Sequence, residues 1–113
     1  MTTVETGRRA ENVAADFLRR KGFEILTQNW RTRWCEIDIV AMRDQEVCFC
    51  EVKYRRSVRQ GTGLDYITPQ KLHRMRFSAE SWVHAHAWMG RYYLAAIEVT
   101  GSQFRVTHAV KDL

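Results

Sequence analysis

The sequence lacks the long apolar run of a membrane-spanning helix, since no stretch approaches the roughly 18 residues needed to cross a bilayer. Its first residues, MTTVETGRRAENV, have no apolar core of the kind found in a signal peptide. Repeats, low-complexity tracts and linkers are also absent, and 113 residues suffice for one hydrophobic core but not for two. We therefore expect a single domain over residues 1–113 that is cytoplasmic and has no membrane partner.

Cysteine is scarce, and the three present, Cys35, Cys48 and Cys50, form an odd set without a secretion signal. We therefore expect reduced thiols rather than a disulfide framework. The set lacks the paired spacings of structural zinc sites, and His84 and His86 lie two positions apart on a predicted helix, so they do not share a face. Cys48 and Cys50 are expected in the core, which argues against a nucleophilic cysteine.

Acidic residues are outnumbered, because the chain has a net charge of +5 and a pI near 9.4. This modest excess suits a polyanionic partner. Several basic residues lie in the segment RRSVRQGTGLDY, whose glycines and lack of periodicity predict an exposed loop. On charge alone, a solvated surface that keeps the protein soluble is the alternative. The residues that we assign to nucleic-acid binding are Arg8, Arg31, Arg33, Arg55, Arg56, Arg59, Lys71 and Arg74.

The spacing of apolar residues predicts the element order αβββαββ. A first helix runs from about Val4 to Lys21, and Gly22 is suited to end it in the left-handed conformation. A second helix has Thr68 as its N-cap and Pro69 as its first residue, and its apolar stripe continues to Gly90. We therefore expect an α/β fold with a mixed sheet flanked by helices. The strands are predicted in FEILTQNWR, Trp34–Met42, Val47–Tyr54, YYLAAIEVT and FRVTHAV.

Two neighbouring predicted strands carry charged residues where apolar ones are usual. The first has Glu36 and Asp38, and the second has Glu51 and Lys53. If the RDQE turn is symmetric, Asp38 lies opposite Glu51 and Glu36 lies opposite Lys53, whereas a turn of odd length places Asp38 and Glu51 on different faces. In the symmetric register all four side chains lie at one end of one face.

A divalent metal ion would explain this cluster. Carboxylates directly opposite each other have Cβ atoms about 5 Å apart and repel unless a cation lies between them. Asp38 and Glu51, with the main-chain carbonyl of Val52, offer the hard oxygen ligands that Mg²⁺ or Mn²⁺ prefers. Such an ion lowers the pKa of a bound water and neutralises charge on a phosphate, and Lys53 would position or deprotonate that water.

A network of salt bridges is the alternative explanation of the same residues. Glu36 would then pair with Lys53, and Asp38 and Glu51 would pair with nearby arginines. The shared face, the apolar flanks and the adjoining basic loop favour the metal, with Glu36 as a supporting residue. Glu11, beside the apolar stripe of the first helix, is a further candidate that would lean over the sheet.

The chain resembles a known family. Asp38 followed by Glu51-Val52-Lys53 resembles the PD-(D/E)xK signature of restriction-endonuclease-like nucleases. A wider match, from Gly7 to Met75, resembles the YraN family of small bacterial proteins related to archaeal Holliday-junction resolvases. The segments that carry it, in the family's order, are GRRAENVAADFLRRKGFEIL, NWRTRWCEIDIVA, VCFCEVKYR and ITPQKLHRM.

The resemblance implies a restriction-endonuclease-like fold and a metal-dependent endonuclease that acts on DNA rather than RNA, including branched or otherwise structured DNA. Its functional positions fall on Glu11 and Lys53 as catalytic residues and on Asp38 and Glu51 as ligands of Mg²⁺ or Mn²⁺, with Lys71 as a helper on the second helix. Cutting both strands of a junction would need a homodimer, since one small site cuts one strand at a time.

Three residues depart from the family pattern. Cys35 stands where the family has glycine before Glu-x-Asp, Tyr54 where a small hydroxylated residue is common, and Tyr93 where an acid is usual. Cys35 and Tyr54 would alter access to the site. Two other functions remain open: a nucleic-acid-binding module without turnover, and a protein-interaction subunit of a DNA-processing assembly. Trp30 and Trp34 are the tryptophans expected to be exposed, where they would stack on bases.

Overall fold

The computed structural model describes residues 1–57 and 63–113. Its strands form one five-stranded sheet in the order β1-β2-β3-β4-β5. Neighbouring strands are antiparallel except β3 and β4, which are parallel and are connected through α2. This confirms the predicted αβββαββ order and mixed sheet of a restriction-endonuclease-like core. The elements are α1 Thr3–Arg20, β1 Glu24–Arg31, β2 Glu36–Arg43, β3 Glu46–Arg55, α2 Pro69–Ala85, β4 Arg91–Thr100 and β5 Arg105–Lys111.

Helix α1 covers one face of the sheet. The hydroxyl of Thr2 caps it by accepting the Glu5 N–H at 3.1 Å, and Gly22 follows its end with a φ of +90°. The predicted bounds and the left-handed glycine are therefore confirmed. We call the buried residues on this side the α1-face cluster; they include Ala10, Ala14, Leu18, Ile39, Cys48, Cys50, Ile97 and Val99.

Helix α2 covers the opposite face. Thr68 caps it by accepting the Lys71 N–H at 3.1 Å, as predicted. The helix ends at Ala85, five residues before the predicted Gly90, because Ala87 takes a left-handed φ of 51° and Met89 is 95% exposed. None of the helices in the described part of the chain combines the length and apolarity needed to cross a bilayer. The α2-face cluster comprises Ile37, Val40, Val47, Phe49, Met75, Ala79, Trp82 and Leu94.

The β2–β3 hairpin fixes the register of the acidic residues. Asp44 and Gln45 form its turn with φ values of 53° and 63°, the left-handed pair that matches the twist of a two-residue hairpin. Met42 pairs with Val47, so the symmetric connection is confirmed and the odd-length alternative is excluded. Cys48, Cys50 and Val52 of β3 face α1. The alternating residues Glu51 and Lys53 therefore lie on the α2 face.

Candidate metal and nucleic-acid site

The site begins where the two central strands separate. The described main-chain pairs of β2 and β3 extend from the turn to Ile39 and Cys50. Ile39 packs in the α1-face cluster but Ile37 packs in the α2-face cluster, so the alternation of β2 is broken at Asp38. Beyond the last pair, the carboxylate of Asp38 accepts the Val52 N–H at 2.8 Å. The Asp38 carboxylate thus accepts the N–H that a main-chain carbonyl of β2 would accept in a regular pair. This bond holds Asp38 between the two strands.

The carboxylates of this region influence one another. The pKa of Asp38 is raised to about 7, chiefly by burial and then by the Glu51 carboxylate, while the hydrogen bond from Val52 opposes both effects. Burial and the nearby Glu36 also raise the pKa of Glu11, although an N–H of Asn29 donates to Glu11 at 2.8 Å and lowers it. The structure therefore brings Glu11, Asp38 and Glu51 within electrostatic reach of each other.

Glu51 has a cationic partner from α2. The Nζ of Lys71 lies 2.8 Å from its Oε1, and both side chains are mostly buried. Lys71 is in the first turn of the helix, so the Thr68 cap that starts α2 also positions this ammonium group. Part of the predicted salt-bridge network is therefore present, with a lysine in place of an arginine.

Within residues 1–57 and 63–113, no group of three or more His, Cys, Asp or Glu side chains is arranged to hold a metal ion.

Glu36 does not pair with Lys53, and that prediction is wrong. Because the alternation breaks at Asp38 and the described β2–β3 pairing ends before it, Glu36 is aligned with β1 instead, opposite Arg31. The Arg31 Nε lies 3.0 Å from Glu36 in an exposed ion pair. Lys53 is itself exposed, with its Nζ 5.7 Å from the ring centroid of Tyr66.

Tyr66 is a residue that the sequence did not single out. Its hydroxyl is buried and has no hydrogen-bond partner among the described residues. Burial raises the pKa of this phenol, and the Glu51, Cys50 and Asp38 groups add to the effect, which places the hydroxyl beside the carboxylates. The sequence predicts an exposed loop at Tyr66, where the one signal is an aromatic residue in a segment otherwise rich in glycine and charge.

Glu98 was also missed. It is 2% exposed on β4, directly beside Lys53 in the parallel register. Arg55 Nε donates to its Oε2 at 2.6 Å, while the Thr107 hydroxyl and His108 Nδ1 each lie 2.8 Å from its Oε1. Desolvation raises the pKa of Glu98, but the hydrogen bonds from these three residues outweigh it and the net shift is downward.

The basic residues assigned to nucleic-acid binding occupy different environments. Arg55 is only 9% exposed and forms an ion pair with the buried Glu98, so its side chain is buried rather than on the surface. Lys71 bonds to Glu51, and Arg59 lies outside the described residues. The guanidinium of Arg33 lies 5.2 Å from the ring centroid of Trp34. The exposed members of the set are Arg8, Arg31, Arg33, Arg56 and Arg74.

Two of the departures from the family pattern lie away from the acids. Tyr54 packs with the α1-face cluster and donates a hydrogen bond to the Gly101 carbonyl at 2.9 Å, and Tyr93 belongs to the same cluster. Tyr54 therefore does not line the carboxylate site, contrary to prediction. Cys35 does lie near it, since it shares a cavity wall with Glu51, and its Sγ is 3.3 Å from the hydroxyl of Thr32.

Comparison with known proteins identifies the relatives. The profile of the Uncharacterised protein family UPF0102 matches residues 10–106. The chain belongs to this family. The resemblance to the YraN family, which is the same family, is therefore confirmed. The matched segment begins in α1 and ends in β5, so it contains both acidic strands and α2.

Individual relatives also match most of the chain. A UPF0102 protein of Renibacterium salmoninarum is 45% identical over 87 residues, which is 77% of this chain and 74% of that protein. One of Cytophaga hutchinsonii is 32% identical over 106 residues, or 94% of each chain. One of Kineococcus radiotolerans is 46% identical over 80 residues, covering 71% of this chain and 66% of that protein.

Proposed function

We propose that this chain is a divalent-metal-dependent endonuclease that hydrolyses phosphodiester bonds in DNA. The observation that carries the proposal is the adjacency of Asp38 and Glu51 at the point where β2 and β3 separate. Burial and mutual repulsion oppose two negative charges there, so a bound cation would relieve a conflict that the fold otherwise maintains. Shifted pKa values caused by burial and a like-charged neighbour cluster at functional sites, which supports this assignment.

The residues fit Mg²⁺ or Mn²⁺ by the chemistry of their donors. Asp38 and Glu51 would hold the ion through hard oxygen atoms, and Mg²⁺ commonly takes only one or two carboxylates and completes its shell with water and substrate phosphate. When bound, the ion supplies a water of lowered pKa and neutralises phosphate charge. The Val52 N–H fixes one Asp38 oxygen at 2.8 Å, so the carboxylate is oriented in advance.

Two lysines would assist the reaction. Lys53 follows Glu51 on the same face of β3, where its ammonium group would orient the attacking water or stabilise charge on the phosphate. Lys71 neutralises Glu51 in the metal-free chain and would move to a phosphate oxygen when a cation takes that place. Glu11 would act as an additional acid or base, because burial raises its pKa and Asp38 and Glu51 are within electrostatic reach.

DNA would be held by the exposed arginines, which lie on α1, at the end of β1, in the β1–β2 connection, after β3 and on α2. Neutralising several phosphates makes binding fall steeply with salt. A homodimer would be needed to cut both strands of a junction, and a mass measurement in solution tests for it.

Cleavage assays test the proposal. Duplex, single-stranded, flap and four-way substrates are incubated with Mg²⁺ or Mn²⁺ and with EDTA. We expect metal-dependent cutting of at least one of them, and a fall of at least about 100-fold for Asp38→Asn and Glu51→Gln. Glu24→Gln, an exposed acid on β1, is the control and should cut normally. Failure to cut any substrate, with metal binding unchanged in Asp38→Ala, contradicts the proposal.

A nucleic-acid-binding module without turnover is the second candidate. The Lys71–Glu51 ion pair favours it, because an ammonium group already compensates one of the two carboxylates. In that case DNA binding is salt-sensitive but indifferent to Glu51→Gln, and no substrate is cut at any metal concentration.

A further inference from the structure

We infer that the cavity between the β1–β2 connection and α2 binds an unpaired nucleotide of the DNA, with its base between two aromatic side chains. The cavity encloses about 300 Å³, and Trp34 and Phe77 line it together with Glu51. The inference rests on the proposed function and narrows its substrate: the strand is single or displaced next to the bond that is cut.

The aromatic walls are exposed although both side chains are large. Trp34 is 76% exposed and Phe77 is 52% exposed. Trp34 is nevertheless held in place through its main chain, because the Thr32 hydroxyl accepts the N–H groups of Trp34 at 3.1 Å and Cys35 at 3.2 Å. Phe77 is fixed by α2. Two exposed aromatic surfaces on one cavity, each attached to a fixed segment of main chain, form a platform on which a base would stack.

The charges around these aromatics match a nucleotide rather than an apolar peptide. Lys71, His73 and Arg74 line the same cavity from the first turns of α2; its acids are Glu36 and Glu51, and Glu51 is paired with Lys71. The Arg33 guanidinium, on the β1–β2 connection, lies 5.2 Å from the centroid of the Trp34 ring. Aromatic residues interleaved with cations are the usual composition of a single-strand binding site, where the cations contact the phosphates.

The position of the cavity beside the carboxylates indicates which form of DNA it binds. Glu51 is part of its lining and is adjacent to Asp38, so a nucleotide stacked there brings its own phosphate to the proposed metal. In a duplex the bases are paired and stacked inside, and a base reaches a protein pocket only after it leaves that stack. The cavity therefore favours single strands, flaps and branch points over continuous duplex.

Fluorescence anisotropy in EDTA measures the affinity for single-stranded and duplex DNA without any cleavage. A labelled single-stranded oligonucleotide and the duplex of the same sequence are titrated with wild type, Trp34→Ala and Phe77→Ala. We expect each substitution to weaken single-strand binding by about 5- to 150-fold and duplex binding by less than about 3-fold. Trp34→Phe, which keeps a ring, should recover most of the affinity. Met89→Ala is the control, because Met89 is 95% exposed and is not part of the cavity.

The inference and the proposed function fail separately. If wild type cuts nothing but binds single strands through Trp34, the nuclease proposal fails and the cavity assignment holds. Unchanged single-strand affinity in Trp34→Ala and Phe77→Ala, or an equal loss for duplex, overturns the assignment. Self-association that Trp34→Ala abolishes while single-strand affinity stays unchanged also overturns it, because the surface then serves a second copy of the chain. Circular dichroism checks that each variant folds.

Discussion

The carboxylate of Asp38 accepts the main-chain N–H of Val52 at 2.8 Å. This bond lies immediately beyond Ile39 and Cys50, the last main-chain pair described between β2 and β3. It therefore bridges the two strands where they part, and it holds one acid next to the other, Glu51. The proposed function depends on this hydrogen bond. It explains how Asp38 and Glu51 stay adjacent although the described main-chain pairs of β2 and β3 end before them.

Asp38→Asn should stabilise the metal-free protein at pH 8. The amide keeps an acceptor for Val52 but removes a charge that burial and Glu51 disfavour. Because the pKa of Asp38 is raised from 3.8 to about 7, the folded state binds more protons than the unfolded one between these values, and wild-type stability falls as pH rises through that range. Urea unfolding in EDTA should show the advantage of the variant at pH 8 and little difference at pH 5. An advantage that grows toward pH 5 would contradict the assignment.

Lys71→Met should destabilise the metal-free chain by about 1–2 kcal/mol, because it leaves Glu51 mostly buried beside Asp38 without its cation. Adding Mg²⁺ should restore part of this loss by supplying another cation. The double variant Lys71→Met with Glu51→Gln should be more stable than Lys71→Met alone, as a double-mutant cycle measures. Asp16→Asn is the matched control, since its ion pair with Arg19 is exposed and is worth less than about 1 kcal/mol.

Glu98→Gln should cost about 3 kcal/mol or more, because it removes the negative charge that lies 2.6 Å from the buried Arg55 guanidinium. The folded-state pKa of Glu98 lies below its ordinary value of 4.5, so its contribution is complete above that value and is lost as pH falls through the lowered pKa. Thermal unfolding from pH 7 downward checks this. The gap between wild type and variant should close in acid, and a constant gap would show that the carboxylate charge is irrelevant.

Tyr66→Phe should be neutral or stabilising by up to about 1 kcal/mol, because the hydroxyl is buried without a partner among the described residues. If this hydroxyl contacts the water or phosphate at the carboxylates, the same substitution should lower the cleavage rate. Unfolding and cleavage are measured on one preparation. A clear loss of stability would mean that the hydroxyl is hydrogen-bonded in the folded protein.

The local features of the fold could be predicted from the sequence because short-range chemistry determines them. The capped helix starts and Gly22 followed from side-chain preferences, and the two-residue turn set the register that brought Asp38 to Glu51. The end of α2 was placed too late, because the apolar spacing continues past Ala85 while the chain turns at Ala87.

The remaining features depend on contacts between distant segments. The break in alternation at Asp38 moved Glu36 away from Lys53, and period-two reasoning does not anticipate such a break. The Glu98 network joins three strands, so no spacing within one strand indicates it. Tyr66 approaches the carboxylates from a segment with no periodic pattern.

A crystal soaked in Mn²⁺ tests the central claim most directly, because anomalous scattering locates the ion without any assumption about substrate. We predict one peak at coordination distance, about 2.0–2.2 Å, from oxygens of both Asp38 and Glu51, with Lys71 displaced from Glu51. The same soak of Glu51→Gln should show the peak lost or strongly reduced. An intact Lys71–Glu51 ion pair with no peak near either carboxylate, at Mn²⁺ concentrations that occupy other sites, would contradict the account.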